Sequence, residues 1–202
     1  MKQSHIYIIV YTINMNGDLN NKLESLKNNF YQNNKKNIIF KNEQKKKCAT
    51  IINQSIDLNV LLQNTFLTFE NKNIIYFQYN VFKTYATDDI VINLTNYLFQ
   101  IIETLISKYG CFEMHVNLDS YTVTAHERYK NMYITFFELC KSNNMVFSDK
   151  LSILNVYNTP SVIHSLRAFF AQFIDKNAVS KIHMYDKKNS VDHFNILLNS
   201  TK

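Results

Sequence analysis

The run LSILNVYNTPSVIHSLRAFFAQFIDKNAVSKIHMY, residues 151–185, alternates between two kinds of secondary-structure pattern. Residues 151–157 are rich in apolar and β-branched side chains, which is typical of a buried strand. Directly after Pro160, apolar residues recur every three or four positions over 161–174 and predict a helix. A short run over 181–185 predicts a further strand. A strand, a helix and a strand in this order indicate a β-α-β unit with parallel strands.

The same alternation extends toward the N-terminus as far as residue 73. Strands are predicted for Ile74–Tyr79 and Phe112–Leu118, and amphipathic helices for Asp88–Lys108 and Thr122–Lys141. Gly110 is placed to end the first of these helices as a C-terminal cap. The pattern predicts an α/β fold, with a mixed, mainly parallel sheet and helices packed on it.

The first third of the chain has a weaker pattern. It predicts a β-α-β arrangement in which Ile6–Ile13 and Ile38–Phe40 are strands and Asp18–Tyr31 is a helix capped by Asp18. The lysine-rich segment 41–47 is interpreted as an exposed connection, and the stretch 49–69 fits either a strand or a helix. We therefore expect an N-terminal extension, residues 1–72, packed on a main domain formed by residues 73–202.

Composition places the protein among globular proteins. The chain of 202 residues is 46% apolar and 19% charged, with 15 Phe, 13 Tyr and no Trp, so its interior is expected to be aromatic. It has two Gly and one Pro, and turns must therefore be made largely by Asn, Asp, Ser and Lys. The abundance of Asn, Ile and Lys in every kind of segment indicates an AT-rich coding genome, such as that of a parasite, an amoeba or a large virus.

The charge balance favours an anionic partner. The formal net charge is +6, and part of the excess lies in Lys45, Lys46 and Lys47. Lysines of this kind attract an anionic membrane surface. No interleaved arginines or nucleic-acid-binding motif accompany them, so base recognition is not supported.

Cysteine usage and hydropathy indicate an intracellular location. Cys48, Cys111 and Cys140 are widely spaced and odd in number, and no signal-peptide pattern is present. No apolar run approaches the ~20 residues that cross a bilayer. The sequence therefore predicts a cytoplasmic protein whose contact with membranes is peripheral.

The landmarks between Phe147 and His183 resemble the CRAL-TRIO family, in particular the phosphatidylinositol/phosphatidylcholine transfer proteins of the yeast secretory pathway. In that family a Tyr-Pro-Glu-Arg turn leads into an apolar strand ending Asn-Ala-Pro, a helix ending Phe-Leu-Asp, and a strand beginning Val-Ser-Lys-Ile. The same order is found here without a gap, as Phe147-Ser148-Asp149-Lys150, Asn158-Thr159-Pro160, Phe173-Ile174-Asp175 and Val179-Ser180-Lys181-Ile182. With the strand His115–Asp119, the resemblance covers roughly residues 73–188.

The resemblance implies a site for a lipid headgroup. Asp149 and Lys181 fall on two positions that hold phosphatidylinositol in the family, and Ala178 replaces the threonine at a third. A lysine ammonium can bind a phosphate, and a carboxylate can accept hydrogen bonds from inositol hydroxyls. An ion pair or a cap at the sheet edge is the alternative reading of the pair.

The resemblance also makes the helix 161–174 the gate of an apolar pocket. Asn158 and Pro160 are interpreted as structural residues at its start, where Asn caps free amides and Pro presets φ. An ordinary buried helix would have the same apolar face, which is formed by Val162, Ile163, Leu166, Phe169, Phe170 and Phe173.

Catalytic and metal-binding patterns are not recognisable. The histidines lack the spacing of a metal site, no serine lies in a nucleophile elbow, and two glycines cannot form a phosphate loop. We therefore expect a protein that is not an enzyme and that has no cofactor other than a bound lipid.

Two functions follow as expectations. The first is binding of a lipid or other hydrophobic molecule for transfer, presentation or sensing at a membrane surface. The second is a protein-interaction or structural scaffold, similar to the BCH branch of the family, that forms homo-oligomers or assembles in a virion and holds no lipid. The loss of the threonine ligand and of the family's C-terminal Leu-Pro…Gly-Gly segment favours the scaffold.

Overall fold

The computed structural model describes residues 3–35, 40–160 and 176–200. Within these ranges the helices are α1 (Gln3–Asn33), α2 (Lys41–Ser55), α3 (Leu58–Thr65), α4 (Tyr79–Tyr85), α5 (Val91–Tyr109), α6 (Val123–Ser142), α7 (Phe147–Lys150), α8 (Lys176–Ser180) and α9 (Lys187–Ser200). The strands are β1 (Phe66–Thr68), β2 (Ile74–Gln78), β3 (Phe112–Asn117), β4 (Leu151–Tyr157) and β5 (Ile182–Met184). A short 3₁₀ turn, Asp88–Ile90, leads into α5.

The five strands form one sheet in the order β1-β2-β3-β4-β5. β1 is antiparallel to β2, whereas the pairs β2–β3, β3–β4 and β4–β5 are parallel. The predicted α/β fold with a mixed, mainly parallel sheet is therefore confirmed. Helices connect the parallel strands, as the geometry of parallel pairing requires.

The strands present two different faces because successive side chains point to opposite sides of a sheet. The front face consists of Ile75, Phe77, Phe112 and Met114, which pack in the main core with α4, α5 and α6. The rear face carries Ile74, Tyr76 and Tyr157, which pack with Leu197 and Phe194 of α9. The register places His115 beside Tyr76 and Asn155, on the same rear face.

The predicted elements of residues 73–157 are confirmed with small shifts of their ends. Gly110 has φ 80° and ends α5 in the left-handed conformation, as expected for a C-terminal cap. Thr122 begins α6, and its side-chain oxygen accepts a hydrogen bond from the Ala125 amide at 3.2 Å. The last predicted strand is shorter than expected and spans Ile182–Met184.

The β-α-β prediction for the first third of the chain is wrong. Residues 6–13 belong to α1, which runs without interruption through Asp18, so that Asp18 is not a cap. Their apolar residues at positions 6, 9, 10 and 13 fit helical spacing as well as a buried strand, and no proline separates them from the following helix.

The segment 41–47 is also different from its prediction. It is the first half of α2 rather than an exposed connection. Lysine, glutamate and glutamine are good helix formers, and apolar Ile52 anchors the second half of the helix in the core. Phe40 precedes α2 in a turn, and the rest of the predicted strand 38–40 lies outside the described residues.

A second core joins the N-terminal helices to α4. Leu23 of α1, Ile52 of α2 and Leu61 of α3 pack against Val81 and Tyr85 of α4. β1 lies before residue 73 and pairs with β2, which lies after it. The division at residues 72 and 73 stays a prediction.

Candidate functional site

A buried histidine occupies the middle of the rear face. His115 is 4% exposed, and its Nδ1 lies 2.8 Å from the Tyr157 hydroxyl. The two rings are stacked at 5.9 Å. The other ring nitrogen, Nε2, is buried and has no hydrogen-bond partner among the described residues. The rear face therefore contains a buried polar atom, His115 Nε2, that lies among aromatic side chains and forms no hydrogen bond with the described residues.

Glu113 lies next to this histidine on β3. Its Oε2 is 3.7 Å from His115 Nε2, too long for a hydrogen bond. Burial lowers the pKa of His115 to about 4, so the imidazole is neutral near pH 7 and the contact is not an ion pair there. Burial also raises the pKa of Glu113, against the opposing effect of the Lys72 charge.

A chain of amides crosses the carboxyl end of the sheet. The Asn158 side chain donates to Asn117 Oδ1 at 2.9 Å, and the Asn117 amide donates to the Tyr76 hydroxyl at 3.2 Å. The Asn158 backbone amide donates to Ser190 Oγ at 2.7 Å, with Asn158 at φ 53°. The described contacts of Asn158 thus tie β4 to β3 and α9.

Most of the predicted gate lies outside the residues that the structure describes. Pro160 is half-buried at the end of a described range. The apolar residues assigned to the gate, Val162, Ile163, Leu166, Phe169, Phe170 and Phe173, lie outside the described residues. The capping role expected of Asn158 and Pro160 also concerns amides outside that range, and it stays a prediction.

The two predicted headgroup residues approach each other at the amino-terminal edge of the sheet. Asp149 belongs to α7, just before β4, and is exposed. Lys181 lies just before β5, and its Nζ donates to the Ser148 carbonyl at 2.7 Å. The two described side chains do not form an ion pair with each other. Ala178, which precedes Lys181 by one helical turn in sequence, is fully buried.

Helix α9 covers part of the rear face. The Phe194 ring lies 5.5 Å from that of Tyr76 and 5.9 Å from that of Tyr157. His193 is stacked on Tyr185 at 3.8 Å. Aromatic side chains therefore fill this part of the face, while Glu113, Asn117 and Ile153 of the same face are half-buried.

The three lysines predicted to meet a membrane have different surroundings. Lys46 pairs with Asp88 at 3.3 Å. Lys47 is exposed. Burial, followed by the charges of Arg128, Lys41, Lys83 and Lys27, lowers the pKa of Lys45.

A small cleft lies beneath Lys46 on the front side of the molecule. Its lining includes Phe82, Thr87, Arg128 and Tyr129. The space measures about 20 Å³, which is room for roughly one water molecule. The cleft is therefore too small for a lipid.

The described residues contain neither a cluster of metal ligands nor an activated thiol at Cys140. No group of three His, Cys, Asp or Glu residues in this part of the chain could hold a metal ion. Burial raises the pKa of the Cys140 thiol to about 12, whereas a nucleophilic cysteine needs a lowered pKa.

One described helix has the length and apolar composition of a membrane span. The most apolar 18-residue stretch of the helix over residues 88–109 has a mean hydropathy of 1.3, and the expectation that no apolar segment approaches the length of a membrane span is therefore wrong. The polar residues spaced along this helix obscured it in the sequence. Its stripe of Leu94, Leu98, Ile102 and Leu105 is buried in the main core.

No protein-family model and no curated protein matches this chain. Among solved structures, that of Sfh5 is similar over 61% of this chain, with 13% sequence identity and a TM-score of 0.47. The likeness covers 49% of the Sfh5 chain, about half its length. The order and register of the strands, rather than this likeness, define the α/β fold class.

The sequence did not reveal the pairing of His115 with Tyr157 or of Asn117 with Asn158. These partners are 42 and 41 residues apart, so their contact depends on strand register. The available signal was alternation in β3, which puts Glu113, His115 and Asn117 on one side of a strand.

Proposed function

We propose that this protein belongs to the CRAL-TRIO type and binds a lipid or other small hydrophobic molecule against the rear face of the sheet. The observation that carries the proposal is the unpartnered Nε2 of His115 in a wall of Ile74, Tyr76 and Tyr157. Binding pockets are typically apolar surfaces with a few polar groups that orient the ligand. The rear face has this composition.

The cost of leaving Nε2 unpaired supports a ligand at this place. A buried polar group without a partner destabilises a folded protein by ~1–3 kcal/mol. A hydroxyl, carbonyl or phosphate ester of a ligand would satisfy Nε2 and lie within reach of Glu113. Apolar parts of the ligand would then contact the aromatic wall, and each buried methylene contributes ~0.8 kcal/mol.

The headgroup end of the ligand is proposed to lie toward Asp149 and Lys181. Both precede strands of the parallel part of the sheet, at its amino-terminal edge. The Ser148 carbonyl holds the Lys181 ammonium in place. A fixed ammonium is a suitable point-charge partner for a phosphate.

Residues 161–174 are proposed to close the ligand in, as the helix that their sequence predicts. In this proposal the protein is not an enzyme, carries no cofactor besides the lipid, and meets anionic membranes peripherally in the cytoplasm. Sequestration is the mechanism, because apolar side chains replace water around the acyl chains. Opening of the segment at a bilayer would allow exchange.

Native mass spectrometry of gently purified protein tests the proposal. We expect a stoichiometric adduct that solvent extraction identifies as a lipid. His115→Leu should lower occupancy, because it removes the polar contact while keeping an apolar wall. His126→Leu is the matched control, since His126 is also buried but lies in α6. Repeatedly empty wild-type protein would contradict lipid binding.

A scaffold is the second candidate, and α9 favours it. Phe194 and Leu197 occupy part of the rear face, while Val191 and Ile196 of the same helix are 61% and 63% exposed. Exposed apolar residues on one helix suit a protein partner or a second copy of the chain. Light scattering distinguishes the candidates: a lipid-free oligomer that Val191→Asp and Ile196→Asp dissociate, and Asp192→Asn does not, would favour the scaffold.

A further inference from the structure

Five cationic side chains on four helices lie near enough to one another for their charges to interact, and a hydrogen bond from Arg128 to Asn42 joins two of these helices. Lys27 lies on α1, Lys41 and Lys45 on α2, Lys83 on α4 and Arg128 on α6. The Arg128 guanidinium donates to Asn42 Oδ1 at 2.7 Å, which fixes α6 against the first turn of α2. α2 in turn packs with α1 and α4 around one core. We call Lys27, Lys41, Lys45, Lys83 and Arg128 the basic site.

The charges of the basic site act on one another. Burial, then Arg128, Lys41, Lys83 and Lys27, lower the pKa of Lys45. Burial also lowers the pKa of Lys83, with Lys27 acting in the same direction and Asp119 opposing it. Among the described residues no ion pair involves any of the five cations. Their mutual repulsion is therefore available to stabilise a bound anion.

Lys83 connects the basic site to the carboxyl edge of the parallel strands. α4 follows β2 directly, and Ser120 lies between β3 and α6. Lys83 Nζ donates to both Asn80 Oδ1 and Ser120 Oγ at 2.6 Å, which holds the ammonium over this edge. Ligands of open α/β sheets commonly bind outside the carboxyl ends of the strands.

We propose that the basic site binds a ligand that carries clustered phosphate groups. Arginine can bind a phosphate with two parallel hydrogen bonds, and lysines contribute point charges around it. Five interacting cations match several negative charges better than a single carboxylate. The site is distinct from the rear face, and it goes beyond the proposed lipid binding. Of the three lysines assigned to a membrane, it includes Lys45 and excludes Lys46 and Lys47.

Two probes distinguish a soluble ligand from a lipid headgroup. Inorganic tripolyphosphate, followed by calorimetry, represents the soluble source. Phosphatidylcholine vesicles with and without phosphatidic acid, followed by flotation, represent the lipid source. Binding of either probe supports the site, and the probe that binds identifies the source. Added salt should weaken the binding by screening.

Charge-neutral variants localise the binding. Lys83→Gln/Arg128→Gln should weaken it about tenfold or more, because each cation near a phosphate contributes ~1 kcal/mol. Lys27→Gln/Lys45→Gln changes two exposed side chains and is therefore expected to fold normally. It should weaken binding to a similar extent, so it tests the site even where the first pair of substitutions disturbs folding. The matched control is Lys187→Gln/Lys188→Gln on α9, which removes the same charge elsewhere and should leave the affinity unchanged.

Three outcomes would overturn the proposal. These are absence of binding to both probes, equal weakening by the α9 control pair, and binding to duplex DNA alone. Lipid occupancy, measured on the same variants by native mass spectrometry, should stay unchanged. An occupied protein that ignores both probes would therefore refute the basic site alone, and an empty protein that binds them would refute lipid binding alone.

Discussion

At the scale of single residues, the rear face shows how burial controls charge. His115 is enclosed by β2, β3 and β4 and is held neutral because solvent cannot reach its ring. Its partner Tyr157 is 2% exposed, and burial raises the pKa of that phenol as well. Protonation of His115 would place a cation in this wall, next to groups with little access to water.

This neutrality predicts a pH dependence of stability. The pKa of His115 is about 4 in the folded protein and ~6.5 in the unfolded chain, which therefore binds more protons between these values. The stability contributed by His115 is present above pH ~6.5 and is lost as the pH falls to about 4, by an amount on the order of 3 kcal/mol. Urea unfolding of wild type and His115→Gln at pH 7 and pH 4.5 checks this. Equal losses in the two proteins would contradict it.

Lys181 predicts a second residue-scale effect, on headgroup choice. Its ammonium is fixed near Asp149, whereas Ala178 lacks a hydroxyl for an inositol ring. We therefore expect phosphatidylinositol and phosphatidylcholine to compete within about tenfold of each other, a difference of ~1.4 kcal/mol. Lys181→Ala should weaken phosphatidylinositol binding more than phosphatidylcholine binding. A strong phosphatidylinositol preference that survives this substitution would assign headgroup recognition to other residues.

At the scale of elements, the sequence predicted a helix or strand correctly where its apolar residues fitted only one periodicity. The stripe Leu94, Leu98, Ile102 and Leu105 is helical only, and the cap at Gly110 confirms where it ends. Residues 6–13 carry both a strand-like and a helix-like pattern, and continuity with the following helical turns decides for the helix. Lysine-rich helices such as the first half of α2 resemble loops in sequence, because few apolar residues mark the buried side of the helix.

Alanine substitutions at the two glycines are expected to have opposite effects on stability. Gly110 has φ 80°, so Gly110→Ala should destabilise the protein by ~1–2 kcal/mol although no atom lies within 4 Å of the added Cβ. Gly17 lies inside α1 and is also free of close neighbours, so Gly17→Ala should stabilise by up to ~1 kcal/mol. Thermal unfolding of both variants checks the signs. Destabilisation by Gly17→Ala would indicate that this part of α1 is not a helix.

At the scale of the whole molecule, the sequence predicted the sheet but not the convergence of distant groups on it. The alternation of strands and helices predicted a mainly parallel sheet, whereas the antiparallel strand β1 lies in the stretch 49–69, which fitted either a strand or a helix. The contact of Arg128 with Asn42 spans 86 residues and depends on how α6 packs against α2. Candidate sites formed by such contacts are invisible to local patterns because no spacing rule connects their members.

A buried hydrogen bond joins α3 to α4 within the second core. Thr65 Oγ1 and the Tyr85 hydroxyl are 2.7 Å apart, and both residues are fully buried. Tyr85→Phe should therefore cost ~1–2 kcal/mol by leaving Thr65 with one partner fewer, and Thr65→Val should cost a similar amount. The double variant should lose less than the sum of the two. Additive losses in urea unfolding would show that the hydroxyls are not coupled.

The strand order has a consequence for synthesis on the ribosome. Since β1 to β5 are neighbours in the sheet in the order in which they occur in the chain, each emerging strand meets a partner that has already left the exit tunnel. The sheet can therefore grow by addition at one edge, and no strand has to be inserted between two others. β1 stays at the opposite edge throughout, and no gap with two further unpaired edges opens inside the growing sheet, which limits the chance of aggregation during translation.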